Sequence, residues 1–111
     1  MLLTETVAVS GGSFECRVYA TPAAHLLCAL LNGSMNTGGA VYADYWLSGR
    51  VPEAFRPSNS VNLALPQYRG TWGEFSARFL FESDGRMRLS IMSPQAISTD
   101  YTAETMCHYG V

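Results

Sequence analysis

The sequence contains no lysine, so all seven of its basic residues are arginines. Charged residues make up only 14% of the chain, whereas they make up about a quarter of an average globular protein. With a net charge of −2 and no basic cluster, the chain has no feature of nucleic-acid binding through phosphate neutralisation. Low charge favours an oligomer with part of its surface buried, and the alternative is a sticky monomer. The arginine bias fits interfaces, although high genomic G+C content produces it too.

Cysteine and histidine are also scarce, with three cysteines and two histidines in 111 residues. Cys16, Cys28 and Cys107 form no CxxC pair and cannot all pair with one another, so a disulfide framework is not implied. A zinc site needs four convergent ligands, and Cys107 and His108 would point to opposite faces of a strand. With His25 as the only other histidine, a cupin-like metal enzyme is disfavoured. We therefore predict no metal and no cofactor.

No grouping of residues indicates catalysis, and we predict that the protein is not an enzyme. The nine acidic residues are scattered over predicted strands and turns, without the facing pair that a glycosidase needs. Gly11-Gly12 and Gly38-Gly39 lack the following helix of a phosphate-binding loop, so we interpret both as turns. A small hydrolase on a β-sandwich is the remaining enzymatic alternative.

Long apolar runs are absent as well. The longest, Ala23 to Leu31, is interrupted by His25 and is too short to cross a bilayer. The N-terminal residues have no basic residue before the acid at Glu5, unlike a signal peptide. The sequence therefore predicts no membrane insertion and no cleaved export signal.

Alternation with a period of two recurs along the chain and predicts an all-β fold. Residues 75, 77, 79 and 81 form one apolar face of the segment Phe75–Glu82, and Arg86–Ile91 alternates in the same way. Asp84-Gly85 between them predicts a hairpin, because glycine takes the positive φ that such turns require. Further strands are predicted at Thr4–Val9, Phe14–Ala20, Ala24–Leu31, Ala40–Leu47, Val61–Leu65 and Tyr101–Tyr109. For residues 24–31 a short helix stays open, since alanine and leucine are good helix formers.

Turn-rich segments separate these strands, among them Ser10–Ser13, Asn32–Ser34, Asn36–Gly39 and Tyr68–Thr71. Eight short strands at spacings of about ten residues are typical of a jelly-roll-like β-sandwich. The length suits one domain over residues 1–111. Pro52 and Pro57 bracket a rigid, irregular loop within it.

Aromatic residues lie near predicted strand ends and in loops. Rings beside arginine and aspartate can hold sugars by stacking and by hydrogen bonds to hydroxyl groups. Two loops, residues 68–72 and 99–101, have this mixture, and they predict a non-catalytic ligand site made of Tyr68, Arg69, Trp72, Asp100 and Tyr101. The aromatics would stack, while the arginine and the aspartate would bond hydroxyls or anionic substituents. The alternative for either tryptophan, at 46 or 72, is burial in the core or in a subunit interface.

Two motifs resemble the C-terminal head domains of bacteriophage and prophage tail fibres and receptor-binding proteins. Pro52-Glu53-Ala54-Phe55-Arg56-Pro57 is similar to that family's Pro-x-x-Tyr/Phe-Arg-Pro loop, and Asp84-Gly85 is similar to its acid-Gly turn. A terminal tyrosine, here Tyr109, is also common there. The resemblance covers roughly residues 14–111. It departs from the family at Ala54, where glycine is frequent, and at Cys107-His108, where small polar residues are usual.

The resemblance implies a homotrimeric β-sandwich that is made in the host cytoplasm and becomes part of the virion. Its expected function is non-enzymatic adhesion to a host cell-surface saccharide or cell-wall polymer, with other virion or fibre proteins as further partners. Weak sites repeated on a trimer gain avidity, so each site can be shallow. The alternative is a purely structural virion protein, such as a capsid decoration or fibre-assembly module, without a ligand of its own.

Overall fold

A computed structural model describes residues 2–21, 23, 26–70 and 73–109, with residues 2, 69, 70 and 73 described by their backbone alone. Within these ranges the chain forms nine strands and one short 3-10 turn, Glu53–Phe55. The strands are β1 (Leu2–Val9), β2 (Gly12–Thr21), β3 (Leu26–Thr37), β4 (Val41–Trp46), β5 (Val61–Ala64), β6 (Tyr68–Gly70), β7 (Gly73–Phe81), β8 (Met87–Ser93) and β9 (Ile97–His108). No helix capable of crossing a membrane occurs in the described residues.

The strands form two antiparallel sheets, which confirms the all-β prediction. Sheet I has the order β1-β2-β3-β9, and sheet II has the order β4-β8-β7-β5, with β6 also pairing with β7. Strands β3 and β9 pair along their full length, from Leu26 opposite His108 to Thr37 opposite Ile97. The molecule measures 42 × 22 × 19 Å.

The sheets share one hydrophobic core because alternate residues of each strand point inward. In β2 the even-numbered residues from Phe14 to Ala20 are buried, whereas Arg17 and Tyr19 are exposed. In β8 the odd-numbered residues from Met87 to Ser93 are buried in the same way. The alternation leaves an outer face on each sheet, and these two faces carry the side chains that a ligand or partner can reach.

Four rings, here called the aromatic cluster, connect the two sheets at one side of the core. Tyr101 of β9 lies between Phe14 of β2 and Phe75 of β7, with centroids 6.2 and 4.8 Å away. Phe75 also stacks on Tyr68 of β6 at 5.6 Å. The Tyr101 hydroxyl donates a hydrogen bond to the Pro66 carbonyl, and burial raises the pKa of Tyr101 to about 12. The cluster therefore fixes β9 against sheet II.

Glu5 of β1 connects the sheets at the opposite side. Its carboxylate accepts hydrogen bonds from the Ser48 N–H at 2.7 Å, the Ser48 hydroxyl at 2.8 Å and the Gly49 N–H at 3.1 Å. A second link joins the Tyr45 hydroxyl to the Ser10 N–H at 3.1 Å. Burial raises the pKa of Glu5, but the hydrogen bonds from Ser48 and Gly49 outweigh it and hold this pKa below its ordinary value.

Glu5→Gln is expected to lower the free energy of unfolding by about 1–2 kcal/mol at pH 7, because three charge-assisted hydrogen bonds become neutral or are lost. Since the folded-state pKa is lowered, the carboxylate stabilises the fold above the ordinary pKa of 4.5, and this contribution is lost as the pH falls through the folded-state value. The difference between wild type and variant should shrink between about pH 5 and pH 3. Urea unfolding of both proteins at pH 7 and at about pH 3 measures this difference in unfolding free energy. A difference that is the same at the two pH values would contradict this role of Glu5.

The two motifs that carry the family resemblance contact each other. The loop between Pro52 and Pro57 approaches the Asp84-Gly85 turn, which joins β7 to β8 as the sequence predicts. Arg56 Nε–H donates to the Val51 carbonyl, and the Val51 N–H donates to the Gly85 carbonyl, both at 2.8 Å. We call this packed unit, Val51–Pro57 with Glu82–Arg86, the loop–turn unit. It lies at the end of sheet II where β4 and β7 finish.

Two segments predicted as turns are strands. Strand β3 continues through Asn32–Ser34 to Thr37, so residues 26–31 are not helical; His25 and residue 24 lie outside the described residues. A Cβ at Gly33 would lie 2.0 Å from the Ser13 carbonyl oxygen, so glycine here allows the close approach of β2 rather than a turn. Tyr68–Gly70 forms β6, which pairs with the start of β7.

Candidate ligand-binding surface

Of the five residues predicted to bind a ligand, the structure describes the side chains of Tyr68, Asp100 and Tyr101, and it places Asp100 apart from the two tyrosines. Trp72 lies outside the described residues, and Arg69 is placed on β6 by its backbone alone. Tyr68 and Tyr101 come together, but through the Phe75 ring between them, as part of the aromatic cluster. Tyr101 is only 7% exposed and its ring packs on Phe14 and Phe75, which leaves it little surface for stacking on a sugar.

Asp100 lies on the face of sheet I opposite to that of Tyr101. It precedes Tyr101 in β9, and consecutive strand residues point to opposite faces. Asp100 therefore faces outward on sheet I, opposite Ser34 of β3. A depression of about 340 Å³ lies beside it, lined by Ser34, Met35, Asn36, Ser98, Thr99 and Asp100. No aromatic ring lines this depression, so it lacks the stacking platform expected of the predicted site.

Exposed aromatic rings occur instead on the outer face of sheet II. Tyr42 is 68% exposed and Trp46 is 46% exposed, and both are even-numbered residues of β4, so they share a face. Their Cα atoms are separated by about 13 Å along the strand. Met92 of β8 lies directly opposite Tyr42 and is also exposed. Together these side chains form two apolar platforms with polar residues between them.

Two arginines of the β7–β8 hairpin lie over the Trp46 ring. The guanidinium carbon of Arg86 is 4.9 Å from the ring centroid and that of Arg88 is 5.4 Å away, both within the range of cation–π attraction. Arg88 donates to the Asp44 carboxylate at 3.0 Å, and Arg86 donates to that of Asp84 at 2.8 Å. Exposed ion pairs of this kind add little to stability. Their consequence here is that cations and carboxylates are held in place beside an exposed indole.

Shallow depressions border both rings. One of about 290 Å³ is lined by Trp46, Leu47, Ser48, Arg50 and Arg86. Within the described residues Arg50 makes no hydrogen bond, so its donors are free for a ligand. Two further depressions, of about 190 and 210 Å³, both lie against Tyr42 and Met92. We call this region, defined by Tyr42, Asp44, Trp46, Arg50, Arg86, Arg88 and Met92, the Tyr42–Trp46 surface.

The thiols offer no activated nucleophile. All three cysteines are free. Burial, with added repulsion from Glu5 and Glu15, raises the pKa of Cys16 to about 12, and burial also raises the pKa of Cys28 and Cys107. A raised pKa keeps a thiol protonated and unreactive at neutral pH. Across the described ranges no three His, Cys, Asp or Glu side chains cluster closely enough to hold a metal ion.

Comparisons with known proteins do not identify a family. No protein-family model matches the chain, and no curated protein matches it. The features that point to a function are the Tyr42–Trp46 surface and the two motifs of the loop–turn unit, which contact each other in the structure.

Proposed function

We propose that this protein is a non-enzymatic adhesion module of a phage virion that binds a host cell-surface saccharide as a homotrimer. The observation that carries the proposal is the Tyr42–Trp46 surface, where exposed rings and hydrogen-bonding charged groups share one face of a sheet. Rings cover the apolar faces of sugars, and guanidinium and carboxylate groups bond their hydroxyls. The shallow depressions agree with weak individual binding that repeated copies strengthen.

The geometry favours an extended ligand that lies along β4. Tyr42 and Trp46 are two platforms separated by about 13 Å, a span that suits a short oligosaccharide better than a single sugar. Asp44 lies between them and pairs with Arg88. Cations and carboxylates occur side by side, so the surface presents both donors and acceptors, which suits hydroxyl-rich saccharides more than polyanions.

The fold and the composition support the same proposal. In a jelly roll, successive strand pairs nest inside one another in alternate sheets. The pairs β3 with β9 in sheet I and β4 with β8 in sheet II follow this order, whereas the next pair, β5 with β7, stays in sheet II. We propose a jelly-roll-like relationship on the basis of the first two pairs. The 14% charged content supports a homotrimer with buried surface. A place in the virion, beside other fibre proteins and after synthesis in the host cytoplasm, follows from the resemblance of residues 52–57 and 84–85.

Trp46→Ala is expected to weaken saccharide binding at least about tenfold, because it removes the stacking ring on which both arginines are ordered. The wild-type protein is first screened on immobilised host glycans and cell-wall polymers, and the affinity for the best ligand is then compared by titration. Trp72→Ala is the matched variant, since it makes the same substitution in the loop that the sequence predicted as a site. Circular dichroism and solution mass verify that both variants stay folded and assembled.

The outcomes separate the candidate functions. Loss of binding in Trp46→Ala alone supports the Tyr42–Trp46 surface. Loss in Trp72→Ala alone moves the site to residues 68–72 and overturns the surface proposed here. A wild-type protein that binds no host saccharide or polymer would favour the alternative, a structural virion protein.

A further inference from the structure

We infer that copies of this chain contact one another through one end of the outer face of sheet I. The inference rests on the homotrimer in the proposed function and adds the surface and the orientation of the contact. The surface consists of Tyr19, Leu26, Cys28, Leu30 and Met106, which we call the sheet I patch.

An unbroken apolar row crosses three strands in this patch. Tyr19 of β2 lies opposite Cys28 of β3, and Cys28 lies opposite Met106 of β9. Tyr19 is 44% exposed and Met106 is 59% exposed. Leu26 and Leu30 lie two residues to either side of Cys28 on β3, so they share its face and extend the patch along the central strand. Contiguous exposed apolar surface of this kind marks interaction sites.

The apolar character is confined to one end of the face. Toward the other end, β3 presents Asn32 and Ser34, opposite Thr102 and Asp100 of β9. Thr102 donates a hydrogen bond to the Asn32 side chain at 2.8 Å, and the outer residues there are exposed. The division places the partner at the Tyr19–Met106 end.

The charges that flank the patch select a second copy as the partner. Arg17 of β2 and Glu104 of β9 lie on the two sides of Leu30, in the same cross-strand row. Arg17 is also paired with Glu15 at 2.7 Å, and Glu104 lies 4.0 Å from the Cys28 sulfur. The patch therefore has an arginine at its β2 side and a glutamate at its β9 side, so a head-to-tail contact between the β2 side of one copy and the β9 side of the next joins opposite charges.

Such a contact brings Arg17 against Glu104 of the partner subunit and Tyr19 against the partner subunit's Met106. Head-to-tail contacts repeat from subunit to subunit, and they close into a ring when the rotation between neighbours divides a full turn, as it does in the homotrimer of the proposed function. In that ring Leu26, Cys28 and Leu30 of the central strand face the axis, where apolar side chains from all subunits meet. The polar end of the face stays outside the contact.

Charge reversal tests the contact on the full chain, with mass measured by size-exclusion chromatography and light scattering. Arg17→Glu and Glu104→Arg, each alone, are expected to raise the concentration at half-dissociation at least about tenfold, because each places like charges against each other across the contact. The double variant Arg17→Glu/Glu104→Arg is expected to return within about threefold of wild type, because the reversed charges again face each other. If two substitutions in the same chain restore assembly, the partner that carries the opposite charge must be another copy of that chain.

Glu53→Arg is the control, since it reverses an exposed charge on the 3-10 turn, away from sheet I, and should leave the mass unchanged. Single variants with the wild-type mass, or a double variant that dissociates like the single ones, would overturn the inference. A wild-type monomer at all concentrations overturns it too. A monomer that still binds saccharide through Trp46 would contradict the contact between copies but not the ligand site. An oligomer that binds no saccharide would contradict the ligand site but not the contact.

Discussion

Phe75→Ala is expected to lower the free energy of unfolding by about 3–5 kcal/mol. Phe75 is buried, and its ring contacts both Tyr68 and Tyr101. Removing it leaves a cavity where β7 meets β9, and it takes away the central member of the aromatic cluster that connects the sheets. A domain of this size has about 5–15 kcal/mol of stability, so the loss is a large fraction of the total. Urea unfolding followed by far-UV circular dichroism measures the change.

Two matched variants separate the loss of unfolding free energy caused by the cavity from the losses caused by other contacts of the aromatic cluster. Phe75→Leu retains most of the buried volume and is expected to cost about 1–2 kcal/mol. Tyr101→Phe keeps every ring and removes only the hydrogen bond to the Pro66 carbonyl, at about 1 kcal/mol. A cost below about 1 kcal/mol for Phe75→Ala would show that the sheets are held together elsewhere, with Glu5 as the first candidate.

Alternation in the sequence was sufficient to predict most of the strands. The apolar residues of the segments around Phe79 and Leu89, with Asp84-Gly85 between them, specify both strands and the hairpin through local residues alone. The turn predicted at Asn32–Ser34 is wrong, because β3 continues through these residues. Pairing with β9, some seventy residues away in the sequence, outweighs the local turn preference of Asn-Gly-Ser. The short β6 was missed since three residues are too few to show a period.

The ligand surface was harder to predict because it depends on strand ends and register. Strand β9 begins at Ile97, four residues before the predicted start, and this shift makes Asp100 and Tyr101 strand neighbours on opposite faces. The position of Trp46 beside Arg88 depends on the register of β4 against β8, which pairs residues far apart in the sequence, from Trp46 with Arg88 to Val41 with Ser93. The alternation of Tyr42, Asp44 and Trp46 is visible in the sequence, and in a strand it places two aromatic rings and a carboxylate on one face.

Gly85→Ala is expected to lower the free energy of unfolding by about 2–4 kcal/mol. The φ of Gly85 is 92°, in the left-handed region that side chains disfavour. The added Cβ would also lie 2.5 Å from Arg56 Nε and 2.6 Å from the Val51 carbonyl oxygen. These are the atoms that hydrogen bond to each other, and the Gly85 carbonyl accepts from the Val51 N–H, so one methyl group disturbs the whole loop–turn unit.

Gly39→Ala is the control, because a Cβ there meets no atom within 4 Å, and its cost should stay within about 0.5 kcal/mol. Arg56→Ala combined with Gly85→Ala separates the two causes in a double-mutant cycle. A flexible guanidinium can move away, whereas the Val51 carbonyl and the positive φ remain, so most of the Gly85→Ala cost should persist without Arg56. Equal unfolding free energies for Gly85→Ala and Gly39→Ala would contradict the role of the turn.

The loop–turn unit also connects stability to the proposed ligand surface. Gly85 directly precedes Arg86, whose guanidinium lies over Trp46, and Val51 directly follows Arg50, which lines the same depression. A displaced turn moves both arginines relative to the indole ring. Gly85→Ala is therefore expected to weaken saccharide binding even at temperatures where the variant is fully folded, whereas Phe79→Ala, which removes a fully buried ring from the core side of β7, should leave binding by the folded fraction unchanged. Titration of both variants well below their unfolding temperatures tests this difference.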